Sequence, residues 1–332
     1  MNTKYFKITL LLFIILFTNL PSIYSLDVKT HKAINETVAK GTMNGFSLDS
    51  YLINNLGIGG GVSEYFKDKD QNNNRVYDWL KLGGEYEDWP AWYLPYVRSK
   101  NHFHNPINEQ GFSGIWGTGF VSGESAILWS QKAIGTQSPG GYYSWLDVRD
   151  YYYKALTSST KTERDSNFVE TFRGVGQVMH LIQDMSVPEH SRNDGHYLPT
   201  YEEWVAKHGN VDISTLSPIF FDMSALIQPS KFTNAPVPIA NLFDTNQYDG
   251  TNPLANTTIG LSEYSNANFF SEDTIFDEQN FPYPKKSSTN LQSYIDGNEL
   301  PEIITAEDNI PDTTFYIKKD KDGEVIERFV KP

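Results

Sequence analysis

No cysteine occurs in the 332 residues, so disulfides and thiolate ligands are both excluded. Any transition-metal site in this chain must be assembled from imidazoles, carboxylates and backbone atoms. Positive charge is scarce as well: 27 Lys and Arg stand against 41 Asp and Glu, for a net charge of −14. Such a surface excludes diffuse electrostatic adhesion to nucleic acid or anionic lipid, although a compact site carrying its own metal charge can still take a phosphate. Long apolar runs are confined to Ile8–Phe17, which follows Lys4 and Lys7 and precedes the polar stretch TNLPSIYS. That run is too short to span a bilayer comfortably and has the layout of a secretory signal peptide over residues 1–25. Cleavage after Ser25 is expected, and with no cysteine to carry a lipid anchor the mature product is expected to be secreted, extracellular or periplasmic, with no transmembrane segment.

What remains reads as a mostly α chain: one helical domain over residues 26–280, then a linker and a short β-prone tail over 281–332. The segment LDVKTHKAINETVAKG, with Val28, Ile34 and Val38 at helical spacing before Gly41, predicts a helix. Residues 54–74 are rich in Gly and Asn and read as loop. Within them DKDQNNN imitates a calcium loop at alternating positions, but Asn73 stands where the sharp-turn glycine belongs and no glutamate closes the loop, so calcium is not expected. SGESAILWSQKAI and WLDVRDYYYKALTSS predict helices, and IGLSEYSNANFF another. The strongest helix signal runs from Thr162 to Met185, where Phe168, Val169, Phe172, Val175, Val178, Met179 and Ile182 recur at helical intervals and Pro188 is the stop. Near the end, TFYIKKDKDGEVIERFV reads as a hairpin turning at Asp322-Gly323.

Histidine is rare too, with seven in the chain, yet HLIQDMSVPEH places His180 and His190 around Asp184. His180 and Asp184 lie four residues apart on the strongest helix, so their side chains share a face. Such a pair is either a buried hydrogen bond or two ligands of one metal. His190 follows a turn containing Pro188, and His196 and Glu202 come soon after. Upstream, GGEYEDWPAWYLPYVRSKNHFHNP carries an acidic patch and then His102 and His104. Within it Glu85 and Glu87 read as solvated, and His104 as a supporting or surface residue. Imidazoles and carboxylates without sulfur form a donor set suited to zinc.

The pattern H-x3-D-x5-H of His180, Asp184 and His190, joined to the D-x13-H of Asp88 and His102, resembles the zinc-dependent phospholipase C family, whose helical fold is shared with the fungal single-strand zinc nucleases. The resemblance covers roughly residues 26–208. It implies three zinc ions. One would take Asp88, His102, His180 and Asp184; a second His190, His196 and Glu202; a third His31, a shared carboxylate of Asp184, and the amine and carbonyl of Leu26 as first mature residue. Two departures stand: the family begins with Trp, and it closes the second site with His-x3-Glu or His-x3-Asp, whereas His196 and Glu202 are two residues further apart. His208 with Asp212 is the rival pair.

The activity implied is hydrolysis of a phosphodiester by metal-activated water, with Asp88 as the catalytic group that orients the water or accepts its proton. The expected substrate is a phospholipid at a membrane surface, cut to diacylglycerol and a phosphorylated head group. Single-stranded nucleic acid is the alternative, and a non-catalytic metal-loaded binding protein the second. Trp89, Trp92 and Tyr93 beside Asp88 are either choline- or base-facing surface or ordinary core. Arg192, Asn193 and Asp194 are expected to orient His190 or to face substrate, and the chain is expected to be a monomer.

Overall fold

A computed structural model of the chain describes residues 28–43, 45–88, 98–114, 119, 121–138, 141–195, 239–250, 259–269 and 271, together with the backbone of three C-terminal strands. The described body is mostly helical. Helix α1 (Val28–Lys40) buries His31, Asn35 and Ala39, whose spacing of four puts them on one face. Two short strands, β1 (Thr42–Met43) and β2 (Phe46–Ser47), pair antiparallel and lead into α2 (Leu48–Leu56). Ser47 caps α2 by accepting from the Ser50 amide, and Gly57 ends it in the left-handed conformation.

The sequence reading of 54–74 as loop is corrected here. Strands β3 (Tyr65–Lys67) and β4 (Asn73–Arg75) form a hairpin whose register pairs Phe66 with Asn74. One face of β3 buries Phe66, which explains the strand: its ring packs against Phe168 and Phe172. The calcium-like DKDQNN is the hairpin turn. Asp68 spends its carboxylate on the loop itself, accepting from the amides of Asp70 and Asn72 at 2.8 Å and from the Asn72 side chain at 2.7 Å.

Helix α3 (Val76–Asp88) follows directly and buries Val76, Tyr77, Trp79, Leu80, Gly83, Gly84, Glu87 and Asp88. That three-and-four periodicity makes one face of α3 apolar at its start and acidic at its end. Further along lie the short α4 (Ala126–Ser130), which takes up only part of its expected helix, and α5 (Trp145–Thr157). Helix α6 (Lys161–Asp184) is the central element. Thr160 and Glu163 close a capping box at its start, each satisfying the other's backbone amide. Helix α6 ends at Asp184 with Met185 still in helical φ and ψ; the backbone becomes extended at Val187, directly before Pro188, which opens the next short helix, α7 (Pro188–Ser191), at a position that needs no amide hydrogen.

Helix α6 packs along α3 and against α5, while α1 packs on α3. Hydrophobic clusters line its length, two of them toward its ends with Val178 joining Val148 and Ile239 between. Phe168, Val169 and Phe172 join Val76, Trp79, Leu80 and Phe66 in one cluster, and Leu181 and Met185 join Ile127, Trp129, Ala240 and Phe243 in the other. Each of these large side chains contributes roughly 1.5–3 kcal/mol on burial. The α3–α6 contact is close because it is built on glycine: a Cβ added to Gly83 would lie 2.1 Å from the Arg173 carbonyl oxygen, and one added to Gly176 would lie 2.2 Å from that of Leu80.

Helices α8 (Ala240–Phe243) and α9 (Leu261–Asn268) complete the second cluster and its surroundings. Strands β5 (Glu302–Thr305), β6 (Thr314–Lys319) and β7 (Val325–Val330) pair antiparallel in that order, with Phe315 opposite Val330. The Asp322-Gly323 turn lies outside the described residues. No described helix is long and apolar enough to cross a membrane.

Candidate metal centre

Five of the histidines and carboxylates singled out in the sequence meet between α1, the end of α3, the turn before residue 102 and the end of α6. His31, His102, His180 and Asp184 are fully buried, and Asp88 is 6 % exposed. His190, on α7, lies beside them with Nδ1 4.0 Å from Asp184 Oδ2. Leu26, His196, Glu202 and the rival pair His208 and Asp212 lie outside the described residues, as do Trp89, Trp92 and Tyr93.

Three of these imidazoles are oriented in the same way. Nδ1 of His180 donates to the Gly84 carbonyl oxygen at 2.7 Å, and Nδ1 of His190 donates to that of His102 at 3.0 Å. Nδ1 of His31 donates to Gln183 Oε1 at 2.7 Å, and the Gln183 amide is fixed in that sense because its Nε2 donates to Asn35 Oδ1 at 2.7 Å. Carbonyl oxygens only accept, so each Nδ1 carries the proton and, in the neutral ring, Nε2 is the basic nitrogen.

Those basic nitrogens face carboxylates. His31 Nε2 is 3.2 Å from Asp184 Oδ1, and His180 Nε2 is 3.3 Å from Asp184 Oδ2 and 3.5 Å from Asp88 Oδ1. His102 presents Nδ1 instead, 2.9 Å from Asp184 Oδ2 and 3.7 Å from Asp88 Oδ1. Although 2.9 Å is hydrogen-bond length, the alignment is not that of a hydrogen bond. Both oxygens of Asp88, both of Asp184 and both ring nitrogens of His102 are buried with no hydrogen-bond partner among the described residues.

Lone pairs facing carboxylate oxygens across 3–3.5 Å repel unless a proton or a cation lies between them. Buried carboxylates without partners are costly for the same reason. Protons are one remedy. Burial opposes charge on His180, yet Asp184 and Asp88 raise its pKa well above 6.5. His102 is raised too, by Asp184 and Glu87 against burial. Burial raises the Asp184 pKa, and His180 and His102 overcome that to hold it well below 3.8.

A divalent cation is the other remedy, and the donor set fits one. Ligand atoms of His31, His180 and Asp184 lie within 4.8 Å of one another, as do those of Asp88, His102 and His180. Asp184 turns Oδ1 to His31 and Oδ2 to His102 and His180, and His180 belongs to both groups, a disposition open to one cation or to two that share the carboxylate.

Several residues around the centre were misread or missed in the sequence. Glu87, expected to be solvated, is fully buried; it accepts from Arg98 Nη2 at 2.5 Å and from Trp129 Nε1 at 2.9 Å. Burial raises its pKa, but Arg98, His102 and Trp129 together bring it down to about 2. Glu85 is half-exposed and pairs with Lys32 at 2.6 Å. His104 is buried, its Nε2 donating to Asp244 Oδ2 at 2.8 Å and its Nδ1 accepting from Ser125 Oγ at 2.8 Å. Its backbone amide donates to the His190 carbonyl oxygen at 3.0 Å, so it steadies α7.

His104, Glu109 and Asp244 also bring ligand atoms within 4.8 Å of one another, but there the His104–Asp244 hydrogen bond is already made and Asp244 Oδ1 takes the Asn246 amide at 2.6 Å. Arg192 and Asn193 are engaged within the fold. Arg192 Nη1 donates to the carbonyl oxygens of Asn266 at 2.7 Å and Phe269 at 3.2 Å, and Asn193 exchanges hydrogen bonds with Ser113 at 2.8 and 2.9 Å.

Comparison of the chain with protein-family models, with curated proteins and with solved structures finds no match.

Proposed function

We propose that this chain is an exported zinc-dependent phosphodiester hydrolase of the helical phospholipase C type, acting on phospholipid at a membrane surface. The observation that carries the reading is Asp184. Its two oxygens face His31 on one side and His180 with His102 on the other, all buried, in contacts that are not settled by hydrogen bonds. Asp88, His102, His180 and Asp184 would hold one zinc. His31 and the second oxygen of Asp184 would hold another, completed by the amine and carbonyl of Leu26 after signal cleavage. His190 would hold the third with His196 and Glu202.

Zinc bound there would supply Lewis acidity toward phosphoryl oxygens and make a water acidic enough to attack phosphorus near neutral pH. The chain's own residues do the rest. The Gly84 carbonyl oxygen fixes the His180 ring, Gln183 fixes the His31 ring, and neither is left to rotate as charge develops. Asp88, whose carboxylate is buried beside His102 and His180, would take the proton of the attacking water. The phosphorus to glycerol oxygen bond would then break, the departing glycerol oxygen taking up the proton passed to Asp88, to give diacylglycerol and a phosphorylated head group.

The test is release of phosphocholine from phosphatidylcholine vesicles by the mature protein, run beside single-stranded DNA and repeated after chelation and zinc restoration. Chelator-sensitive lipid cleavage is the expected result. Cleavage of DNA alone would replace the lipid with nucleic acid while keeping the metal ligands, and a zinc-loaded protein inert on both would leave a binding protein.

A further inference from the structure

Among the four imidazoles of the centre, His102 is turned the other way. His31, His180 and His190 each have Nδ1 tied to a carbonyl oxygen, which makes Nε2 the basic nitrogen. His102 directs Nδ1 at Asp184 and Asp88, so it can serve the same centre only if its proton sits on Nε2. No carbonyl performs that task among the described residues. The group at Nε2 is the Glu87 carboxylate, with Oε1 at 3.7 Å.

We propose that Glu87 is the positioning residue of His102: its buried carboxylate keeps the ring proton on Nε2 and leaves Nδ1 as the ligating nitrogen. The inference rests on the metal-centre reading for its purpose, but its content is a tautomer. At 3.7 Å the pair is longer than a hydrogen bond, and with Arg98 on its other oxygen the carboxylate acts on Nε2 through a partly neutralised charge, so it decides the tautomer once a cation has taken the place of the proton between Nδ1 and Asp184. The charge is held in place from behind. Arg98 Nη2 pairs with Oε2, and is itself held by Gln137 Oε1 at 3.3 Å and Gln177 Oε1 at 3.2 Å, while Trp129 Nε1 donates to Oε1. A Cβ on Gly141 would fall 2.4 Å from Arg98 Nη1, so the chain also keeps space for the guanidinium.

This arrangement is a carboxylate, histidine and metal relay in which the carboxylate sets which nitrogen binds. Glu87 directly precedes Asp88 on α3. The helix therefore delivers a ligand and the support of a second ligand from adjacent positions, one on each side of the His102 ring.

The test reads the His102 ring nitrogens by long-range proton–nitrogen NMR in the zinc-loaded full chain, where a cation rather than a proton stands between Nδ1 and the Asp184 carboxylate, with assignment from His102→Gln. The Nε2–H form is expected in the native sequence, and a mixture or the Nδ1–H form in Glu87→Gln. Zinc affinity, measured by competition with a chromophoric chelator, should fall about 10- to 100-fold in Glu87→Gln and recover in part in Glu87→Asp. Nδ1–H in the native sequence overturns the proposal whether or not Glu87→Gln folds, as does an unchanged tautomer in a folded Glu87→Gln. A native chain that takes no zinc overturns the metal reading, whereas zinc bound at native affinity in a folded Glu87→Gln overturns the role of Glu87 alone.

Discussion

The rings of His31 and His180 are stacked, with centroids 3.6 Å apart and planes 18° from parallel, and they meet opposite oxygens of the single carboxylate of Asp184. Stacking sets the two Nε2 atoms side by side, and the carboxylate spans them. One side chain therefore serves two adjacent positions.

Asp184→Asn tests that sharing. The amide has nearly the same shape, so the fold is preserved, but one of its two oxygens becomes an NH2 group that repels a cation. Zinc content measured by mass spectrometry of dialysed protein should fall from three per chain to two or fewer, with the ion assigned to His190 retained. Three ions retained at native affinity would defeat the shared-ligand reading.

Gln183 gives a milder test of the same position. It holds His31 Nδ1 and is held in turn by Asn35, yet it touches no reacting group. Gln183→Ala should weaken only the ion at His31, by about 10- to 100-fold, leaving the others at native affinity. A biphasic chelator titration would read this directly, and a uniform loss at all sites would point to a general loosening of α6.

The parts of the fold and centre that were legible in the sequence were those written in local periodicity. The apolar spacing of Phe168 to Ile182 gives α6, and the spacing of His180 from Asp184 places both on one helical face. The hairpin at residues 65–75 was not legible because its signal is one buried side chain, Phe66, among Gly, Asp and Asn. Glu87 was missed because nothing next to it in sequence distinguishes a buried acid from a solvated one. Its partners Arg98 and Trp129 come from elsewhere in the chain. Asp244 was hidden for the same reason, since its partner His104 lies on a segment far from it in sequence.

The glycine contact between α3 and α6 is a structural requirement of the centre. Gly176→Ala would drive a methyl group to 2.2 Å from the Leu80 carbonyl oxygen, and backbone on both sides leaves only helix displacement as relief. Overpacking of this kind costs about 3 kcal/mol. Because Gly84, on the same α3, holds His180, zinc affinity should fall together with the urea midpoint. Native stability in the Gly176→Ala variant would mean the helices sit further apart.

Acidity should govern how much zinc stabilises the fold, and the sign follows from His180 and His102. Both have raised pKa values in the metal-free fold, so their contribution to its stability is complete below 6.5, the value for an unperturbed ring, and is lost as pH rises through the raised values. Zinc needs the same rings neutral and must displace those protons, which costs about tenfold in apparent affinity per proton and per pH unit on the acid side. The depressed carboxylates Glu87 and Asp184 titrate below this range, where acid removes their contribution. Above about pH 6.5 the metal-free Tm should therefore fall, while between about pH 5.5 and 8 the gain in Tm on adding zinc grows. Paired thermal melts with zinc and with chelator across that range measure both quantities. A zinc effect that shrinks as pH rises would mean that the ion binds somewhere other than these histidines.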